Sequence, residues 1–137
     1  LAPNQMKAAS MEKPDGGITK KCHDLVLARW YLAVEFDNGS ADQQATRLAW
    51  LGAKRGGGLP LTLVTFSGSK SMHGLYRVIG MPERRLSRFY DTAIGLGADP
   101  ALWTPSQFTR MPQGFHQTKH KRQRVYFLSK ENAITRR

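Results

Sequence analysis

The sequence predicts an α+β fold in which two helices lie on one face of a small, mostly antiparallel sheet. Short runs of aromatic and branched residues, typical of strands, alternate with two longer segments whose apolar residues recur at helical spacing. Their order is strand, helix, strand, strand, helix, strand, which is typical of this fold class. A chain of 137 residues is long enough for one domain with a core and too short for two. We expect that domain to cover residues 25 to 130, between a flexible arm over residues 1 to 24 and a tail over residues 131 to 137.

The first half of the chain is expected to hold the arm, one strand and one helix. The arm is predicted because residues 1 to 17 contain two prolines, a glycine pair and no periodicity. The strand is expected over Arg29 to Phe36 and the helix over Ala41 to about Lys54. Ser40 suits the N-cap of that helix, and Gln43, three positions later, completes a capping box. The core-facing side of the helix would carry Ala45, Leu48, Ala49 and Leu51 or Gly52.

The second half is expected to hold the remaining strands and the second helix. Two strands are predicted at Leu59 to Phe66 and at Leu75 to Gly80, followed by a helix whose first position suits Pro82. A short strand is expected at Gln107 to Arg110 and a final one at Arg122 to Leu128. The apolar stripe of the second helix would consist of Leu86, Phe89, Tyr90 and Ala93.

The strongly basic composition indicates an acidic partner. The formal net charge is +11 and the isoelectric point is near 10.3, and a domain this basic is attracted to polyanions. Nucleic acid is the leading candidate, and a basic protein whose charge only maintains solubility is the alternative. No apolar run is long enough for a membrane span and no basic amphipathic helix stands out, so we expect no membrane partner. The single cysteine, Cys22, excludes an internal disulfide and suits a reducing compartment such as the cytoplasm.

Two acids, Glu35 and Asp37, stand at the end of the first predicted strand. Successive side chains of a strand point to opposite faces, so positions two apart point to the same face. Neighbouring carboxylates repel each other unless a cation lies between them, and Mg²⁺ or Mn²⁺ prefers such oxygen ligands. The pattern therefore indicates a divalent metal site, and a solvated strand edge that leads into an Asn-Gly turn is the alternative.

The run FSGSKSMHG, residues 66 to 74, carries more polar and charged side chains than a chain reversal needs. Gly68 allows a ligand close to the backbone, Ser69 and Ser71 offer hydrogen-bond donors, and Lys70 and His73 can contact phosphate. A P-loop would need a different glycine spacing and a helix after it. We interpret the run as a phosphate-binding loop of another kind, and a flexible hairpin loop with an incidental histidine is the alternative.

Four short motifs together resemble the archaeo-eukaryotic primase superfamily. They are Glu35-x-Asp37, the run SGSKSxH from Ser67 to His73, GADP from Gly97 to Pro100, and RMP from Arg110 to Pro112. The likeness is strongest to primase-polymerase domains of plasmids, phages and other mobile elements, which carry an acid-x-acid motif, an S-x-H motif and a later third acid. It covers residues 29 to 128. Because the catalytic half of that family is an RRM-like sheet, the resemblance implies an RRM-like form of the predicted fold.

The resemblance implies a DNA primase or polymerase that transfers nucleotides from nucleoside triphosphates on a single-stranded DNA template. Glu35, Asp37 and Asp99 would bind the catalytic Mg²⁺ or Mn²⁺. Asp91 is the alternative to Asp99 as the third acid, but it lies within the second predicted helix, whose apolar stripe places Asp91 on the solvent side. A replicative helicase domain or subunit would be the protein partner. The triphosphate would be bound by Ser67, Ser69, Lys70, Ser71, His73 and Arg110.

The chain departs from the family pattern at three places. Ser69 replaces a common glycine, and His116 stands where a second phosphate-binding cation is common. Only 34 residues precede Glu35, whereas the family usually carries an N-terminal α/β module before its first motif. The chain would therefore be the catalytic half of a longer protein or a reduced version of the domain.

A basic run outside the motifs is expected to follow the template backbone, with Phe115 or Tyr126 available to stack on a base. A solvated basic hairpin is the alternative. The run consists of Lys119, Lys121, Arg122 and Arg124.

A zinc site is the weaker interpretation of four other residues, because the sequence has no CxxC pair and an incidental grouping is favoured. The four are Cys22, His23, His116 and His120.

Two other functions stay open on the sequence. A noncatalytic RRM-like module that binds single-stranded nucleic acid would keep the basic surface without needing the acids. A metal-dependent nuclease would use the acids and His73 without needing a nucleotide.

Overall fold

The computed structural model describes residues 3–8, 10–19 and 23–133 of the chain. Two α-helices occur within those residues, α1 (Ala41–Gly52) and α2 (Glu83–Gly95), and neither has the length and apolarity to cross a membrane. The strands of the same part are β1 (Gln5–Met6), β2 (Met11–Glu12), β3 (Ile18–Thr19), β4 (Val26–Ala28), β5 (Tyr31–Phe36), β6 (Leu61–Phe66), β7 (Met72–Arg77), β8 (Phe115–His116), β9 (Lys121–Arg122) and β10 (Val125–Leu128). Short 3₁₀ segments at Lys54–Gly56 and Pro100–Trp103 follow α1 and α2.

Four strands form the central sheet in the spatial order β10-β6-β7-β5, and every neighbouring pair is antiparallel. Both helices contribute side chains to one core cluster with alternate residues of β5, so both lie on the same face. The predicted α+β class is confirmed.

Part of the predicted N-terminal arm is paired in short antiparallel ladders. β1 pairs with β4, and β2 pairs with β3. The buried side chain of Asn4 accepts hydrogen bonds from the backbone N–H groups of Trp30 and Tyr31, each at 2.8 Å, and donates to the carbonyl of Pro105 at 2.8 Å. The described part of residues 1 to 24 therefore contains more secondary structure than a loose arm would.

The capping box predicted for α1 is confirmed. The backbone N–H of Gln43 donates to Ser40 Oγ at 3.2 Å, and the backbone N–H of Ser40 donates to Gln43 Oε1 at 2.9 Å. These two bonds satisfy N–H groups that the start of a helix otherwise leaves unpaired. The helix ends at Gly52, two residues before the predicted end, and its predicted core stripe is partly wrong: Gln44 is buried, whereas Ala49 is exposed.

The predicted start and apolar stripe of α2 agree closely with the structure. Pro82 is the N-cap rather than the first helical residue. Its fixed φ suits a helix start, where no N–H donor is required. The four predicted core residues, Leu86, Phe89, Tyr90 and Ala93, are all buried.

The two faces of the central sheet differ in how they are covered. The helix face presents Leu32, Val34 and Phe36 of β5, which are 0% exposed. Burial of each such side chain stabilises the fold by about 1.5–3 kcal/mol. On this face Tyr76 packs edge-on against Phe89 with ring centroids 4.8 Å apart. The opposite face carries a smaller apolar cluster of Ala33, Leu63, Leu75 and Leu102, and the polar residues of the candidate site lie on this face.

Several predicted strand limits are wrong. β5 begins at Tyr31 rather than Arg29, β6 begins at Leu61 rather than Leu59, and β7 ends at Arg77 rather than Gly80. β7 begins at Met72 rather than Leu75, so His73 belongs to a strand and not to a loop. Gly74 also belongs to that strand. A Cβ there would lie 2.7 Å from Leu48 Cδ2, so the close approach of α1 favours glycine. The short strand expected at 107–110 does not form. The predicted final strand is divided into β9, which pairs with β8, and β10, which pairs with β6.

Candidate functional site

A row of polar side chains crosses the sheet on the face that lies away from the helices. Glu35 in β5 is the direct cross-strand partner of His73 in β7, and His73 is the partner of Thr65 in β6. Directly opposite residues in neighbouring strands share a face. Phe36 is fully buried on the helix face, and the alternation of β5 places its neighbour Glu35 on the other face. Asp37 is the first residue after the strand.

His73 lies at the centre of this row and is almost fully buried, at 6% exposure. Its Nε2 is 3.5 Å from Glu35 Oε1 and 3.4 Å from Ser71 Oγ. Burial lowers the pKa of His73 below its ordinary value. Glu35 and, more weakly, Asp99 oppose this shift, while Arg110 adds to it. The imidazole is therefore neutral at pH 7, and it acts there as a hydrogen-bonding group rather than as a cation.

Asp37 is paired with the lysine of the FSGSKSMHG run. Lys70 Nζ lies 2.6 Å from Asp37 Oδ2, and both side chains are solvent-accessible. The hydrogen bond and the charge of Lys70 lower the pKa of Asp37, and the same pair raises the pKa of Lys70. The lysine therefore already supplies a positive charge at the position where the sequence suggested a metal ion.

The turn between β6 and β7 is shorter and more ordered than the predicted loop. The buried hydroxyl of Ser67 accepts hydrogen bonds from the backbone N–H groups of Ser69 at 3.2 Å and of Ser71 at 3.1 Å. Gly68 has φ +82°, which favours glycine. Ser67 thus shapes the turn, whereas the side chains of Ser69 and Lys70 are exposed at its tip.

Gln44 of α1 is a positioning residue that the sequence analysis missed. Its Nε2 donates to the carbonyls of Gly39 at 3.1 Å and of Lys70 at 2.9 Å, and its Oε1 accepts from the backbone N–H of Met72 at 2.9 Å. It therefore connects the turn after β5 to the turn between β6 and β7. The available signal was its spacing, because it stands four residues before Leu48 on the apolar stripe of the helix.

Asp99 is brought beside the acid pair through the backbone. Its N–H donates to the carbonyl of Glu35 at 2.9 Å, and Tyr90 Oη donates to its carbonyl at 2.7 Å. Its carboxylate Oδ1 accepts from the N–H of Ala101 at 2.9 Å and so caps the 3₁₀ segment that follows. The competing acid, Asp91, is exposed on α2, as its helical position predicted.

The basic hairpin formed by β8 and β9 packs directly on the loop. A Cβ at Gly68 would lie 3.1 Å from His116 Cβ and 3.2 Å from the carbonyl oxygen of Lys121. Arg110 is exposed, and its charge contributes to the lowered pKa of His73, so it lies on the same side of the molecule. All four cations predicted to contact a template are exposed: Lys119, Lys121, Arg122 and Arg124.

The carboxylates do not form a closed metal site. Among the residues that the structure describes, no three His, Cys, Asp or Glu side chains lie close enough together to hold a metal ion. Carboxylate oxygens of Glu35, Asp37 and Asp99 are the donors that Mg²⁺ prefers, but an ion would have to displace Lys70 from Asp37. For the suggested zinc site, Cys22 and the side chain of His23 lie outside the described residues.

Two atoms of the polar row have no hydrogen-bond partner among the described residues. They are Thr65 Oγ1 and His73 Nδ1, both buried and on directly paired positions. Buried polar groups are normally hydrogen-bonded. The row therefore retains capacity for a water molecule or for a polar group of a ligand.

No family model, no curated protein and no solved structure matches this chain. The functional conclusion therefore depends on the geometry of the polar row and of the loop beside it.

Proposed function

We propose that this protein is a nucleotidyltransferase of the DNA primase and polymerase type, which uses nucleoside triphosphates and a divalent metal on single-stranded DNA. The observation that supports the proposal most is the convergence of three separate motifs at one place. Glu35 and His73 are paired across the sheet, Ser71 and Lys70 adjoin them, and the backbone of Asp99 is bonded to that of Glu35. Acids beside phosphate-binding groups are what nucleotidyl transfer requires.

The residues of the loop would hold the triphosphate. Ser69 and Lys70 are exposed at the tip, and Ser71 and His73 lie deeper, where a phosphate oxygen can accept hydrogen bonds from them. Arg110, whose charge already acts on His73, would add a positive charge. These groups would position the α-phosphate for attack by a primer 3′-hydroxyl, which forms a new P–O bond as the bond to the pyrophosphate group breaks.

The acids would hold the metal. Glu35, Asp37 and Asp99 would supply its oxygen ligands, and Lys70 would move from Asp37 to the phosphates. When bound, the divalent ion stabilises negative charge on the attacking and leaving oxygens.

The element order supports an RRM-like fold only in part. The order β5-α1-β6-β7-α2-β10 is that of a βαββαβ unit. In an RRM-like sheet the last strand lies beside the first, whereas here β10 lies beside β6. The likeness therefore extends over the first three strands and both helices.

The proposed partners follow from charge and from the sequence resemblance. The exposed cations of the β8–β9 hairpin would contact the backbone of a single-stranded template next to the loop. A replicative helicase domain or subunit and a cytoplasmic location belong to the same proposal.

A noncatalytic single-strand-binding module is the second candidate, and one observation favours it. The acids are already engaged, since Asp37 is paired with Lys70 and no described cluster is ready to hold a metal. Such a module would bind nucleic acid through its basic surface with no need of nucleotide.

Binding of a labelled nucleoside triphosphate in the presence of Mn²⁺ distinguishes the two candidates. We expect the parent chain to bind, and His73→Ala and Asp37→Asn each to weaken binding at least tenfold. The matched control is Asp91→Asn, which removes a carboxylate exposed on α2 and should bind like the parent. A folded parent that binds single-stranded DNA but no nucleotide would favour the noncatalytic module. Where binding is found, primer extension with the same four proteins tests the chemistry itself.

A further inference from the structure

A second basic site lies on the helix side of the molecule. A cavity of about 520 Å³ opens between the 3₁₀ segment after α1 and the first three turns of α2. It has no carboxylate among its lining residues, and five of them are cations. The five are Lys54, Arg55, Arg84, Arg85 and Arg88.

These cations are unpaired within the part of the chain that the structure describes. The ion pairs found there involve other basic side chains, those of Arg29, Lys70 and His73. Arg84 and Arg88 are one helical turn apart, and like charges at that spacing destabilise a helix. No described acid forms an ion pair with either arginine, and an anionic ligand would reduce the repulsion.

Two glycines allow close packing around the 3₁₀ segment, one against α1 and one against α2. A Cβ at Gly56 would lie 2.2 Å from the carbonyl oxygen of Trp50, and a Cβ at Gly57 would lie 2.7 Å from Phe89 Cδ2. Gly57 also has φ +124°, which other residues rarely adopt. These glycines therefore let the 3₁₀ segment pack closely on α1 and on Phe89 of α2, and Lys54 and Arg55 line the same cavity as Phe89.

We propose that this cavity binds the phosphate backbone of a nucleic acid strand, at a site separate from the polar row on the opposite face of the sheet. Five unpaired cations around a concave surface suit successive phosphates. The aromatic residue of the described lining, Phe89, is 2% exposed, so it can neither stack on a base nor insert into a membrane. Binding here is therefore directed to phosphates and independent of base sequence.

The test compares two triple variants that remove the same charge from different surfaces. One is Arg84→Gln, Arg85→Gln and Arg88→Gln in α2; glutamine keeps the helix because its helix propensity is similar to that of arginine. The control is Lys7→Gln, Arg77→Gln and Lys130→Gln, three exposed cations away from the cavity. The dissociation constant of a labelled single-stranded oligonucleotide is measured against salt concentration for both variants and the parent.

Affinity falls as salt rises, so the slope of log affinity against log salt is negative. We expect its magnitude to be smaller by about 2 in the α2 variant, because each lost phosphate contact on a single strand removes about 0.7. The control should keep most of the parent slope. Equal slopes for the two triple variants would mean that only net charge matters and would overturn the proposal. If the α2 variant does not fold, as judged by circular dichroism, Lys54→Gln with Arg55→Gln tests the other wall of the cavity, with an expected decrease in slope of about 1.4.

Two further arms separate the possible sources of phosphate. Free nucleoside triphosphate and phosphatidylserine vesicles are titrated against the parent and the α2 variant. Loss of either interaction in the α2 variant, with oligonucleotide binding unchanged, would overturn the assignment to a nucleic acid strand. This test is separate from the test of nucleotidyl transfer. The variants Asp37→Asn and His73→Ala change no residue that lines the cavity, so each proposal can fail without the other.

Discussion

The two faces of the central sheet differ in the side chains that alternate residues of β5 place on them. On the helix face, Leu32, Val34 and Phe36 are fully buried and provide packing energy. On the other face, Glu35 approaches His73 and Asp37 pairs with Lys70. Because successive side chains point in opposite directions, one strand supplies apolar packing on one face and polar side chains on the other. Substitutions on the first face should therefore change stability, and those on the second should change ligand binding.

The strongest test substitutes adjacent residues that point to opposite faces. Phe36→Ala should lower the free energy of unfolding by about 3–5 kcal/mol, because it removes a large buried side chain and leaves a cavity. Glu35→Gln should change it by less than about 1 kcal/mol. Urea denaturation measures both. Similar losses for the two variants would contradict the division between the faces, and Phe36→Leu serves as a milder substitute if the alanine variant does not fold.

Gln44 lies on α1 but is bonded to the turns beside the polar face. Its substitution should therefore affect both stability and ligand binding. Gln44→Ala removes three hydrogen bonds to backbone groups of the two loops. We expect a loss of about 1–3 kcal/mol, because the buried N–H of Met72 would be left unpaired, and a loss of nucleotide binding as the loop shifts. The adjacent Gln43→Ala, which removes one bond of an exposed capping box, is the matched control. A Gln44→Ala protein with the unfolding free energy and nucleotide affinity of the parent would show that the loops hold their geometry without it.

Much of the fold was predictable from local signals. Ser40 and Gln43 form a capping box that depends only on residues three positions apart. The apolar stripe of α2 follows helical periodicity, which can be identified within the segment itself. The start of β7 was missed because His73 and Gly74 resemble loop residues, and the glycine is explained only by the contact with Leu48. That contact joins distant parts of the chain, and no local pattern encodes it.

The candidate site was predictable to a similar extent. The face on which Glu35 lies follows from the period of a strand. The bond from Asp99 to Glu35 depends on how the chain returns after α2, which spacing does not determine. Gln44 and Thr65 were missed because neither belongs to a motif, and their roles appear only when the neighbouring strands and loops are in place.

The buried His73 should make stability depend on pH in a predictable direction. Burial lowers the pKa of His73 in the folded protein below the ordinary value of 6.5. At pH values between the folded pKa and 6.5, the unfolded chain therefore binds more protons than the folded protein. The free energy of unfolding should be highest above pH 6.5 and should fall as pH decreases, until it levels off below the folded pKa. Measurements from pH 7.5 to 5.5 should show a steeper loss for the parent than for His73→Gln.

Two comparisons control that experiment. The exposed His120→Gln removes an imidazole from the β8–β9 hairpin and should keep the pH dependence of the parent. A His73→Gln protein that loses stability as steeply as the parent would place the titrating group elsewhere, among the acids that face it.

The smallest expected effect on stability comes from substitution of Lys70. This substitution tests whether Lys70 leaves Asp37 when a nucleotide binds. The Lys70–Asp37 pair is exposed, and such pairs contribute little to stability because water and salt screen them. Lys70→Gln should therefore leave the unfolding transition unchanged. It should strengthen binding of Mn²⁺ alone, because Asp37 loses a competing cation, and weaken binding of nucleoside triphosphate with Mn²⁺, because a phosphate contact is lost. Calorimetric titration of each ligand measures the two effects, and Lys130→Gln, at an exposed lysine elsewhere, controls for net charge. Changes of the same sign for both ligands would mean that Lys70 does not alternate between Asp37 and phosphate, and that the ion pair is a fixed part of the loop.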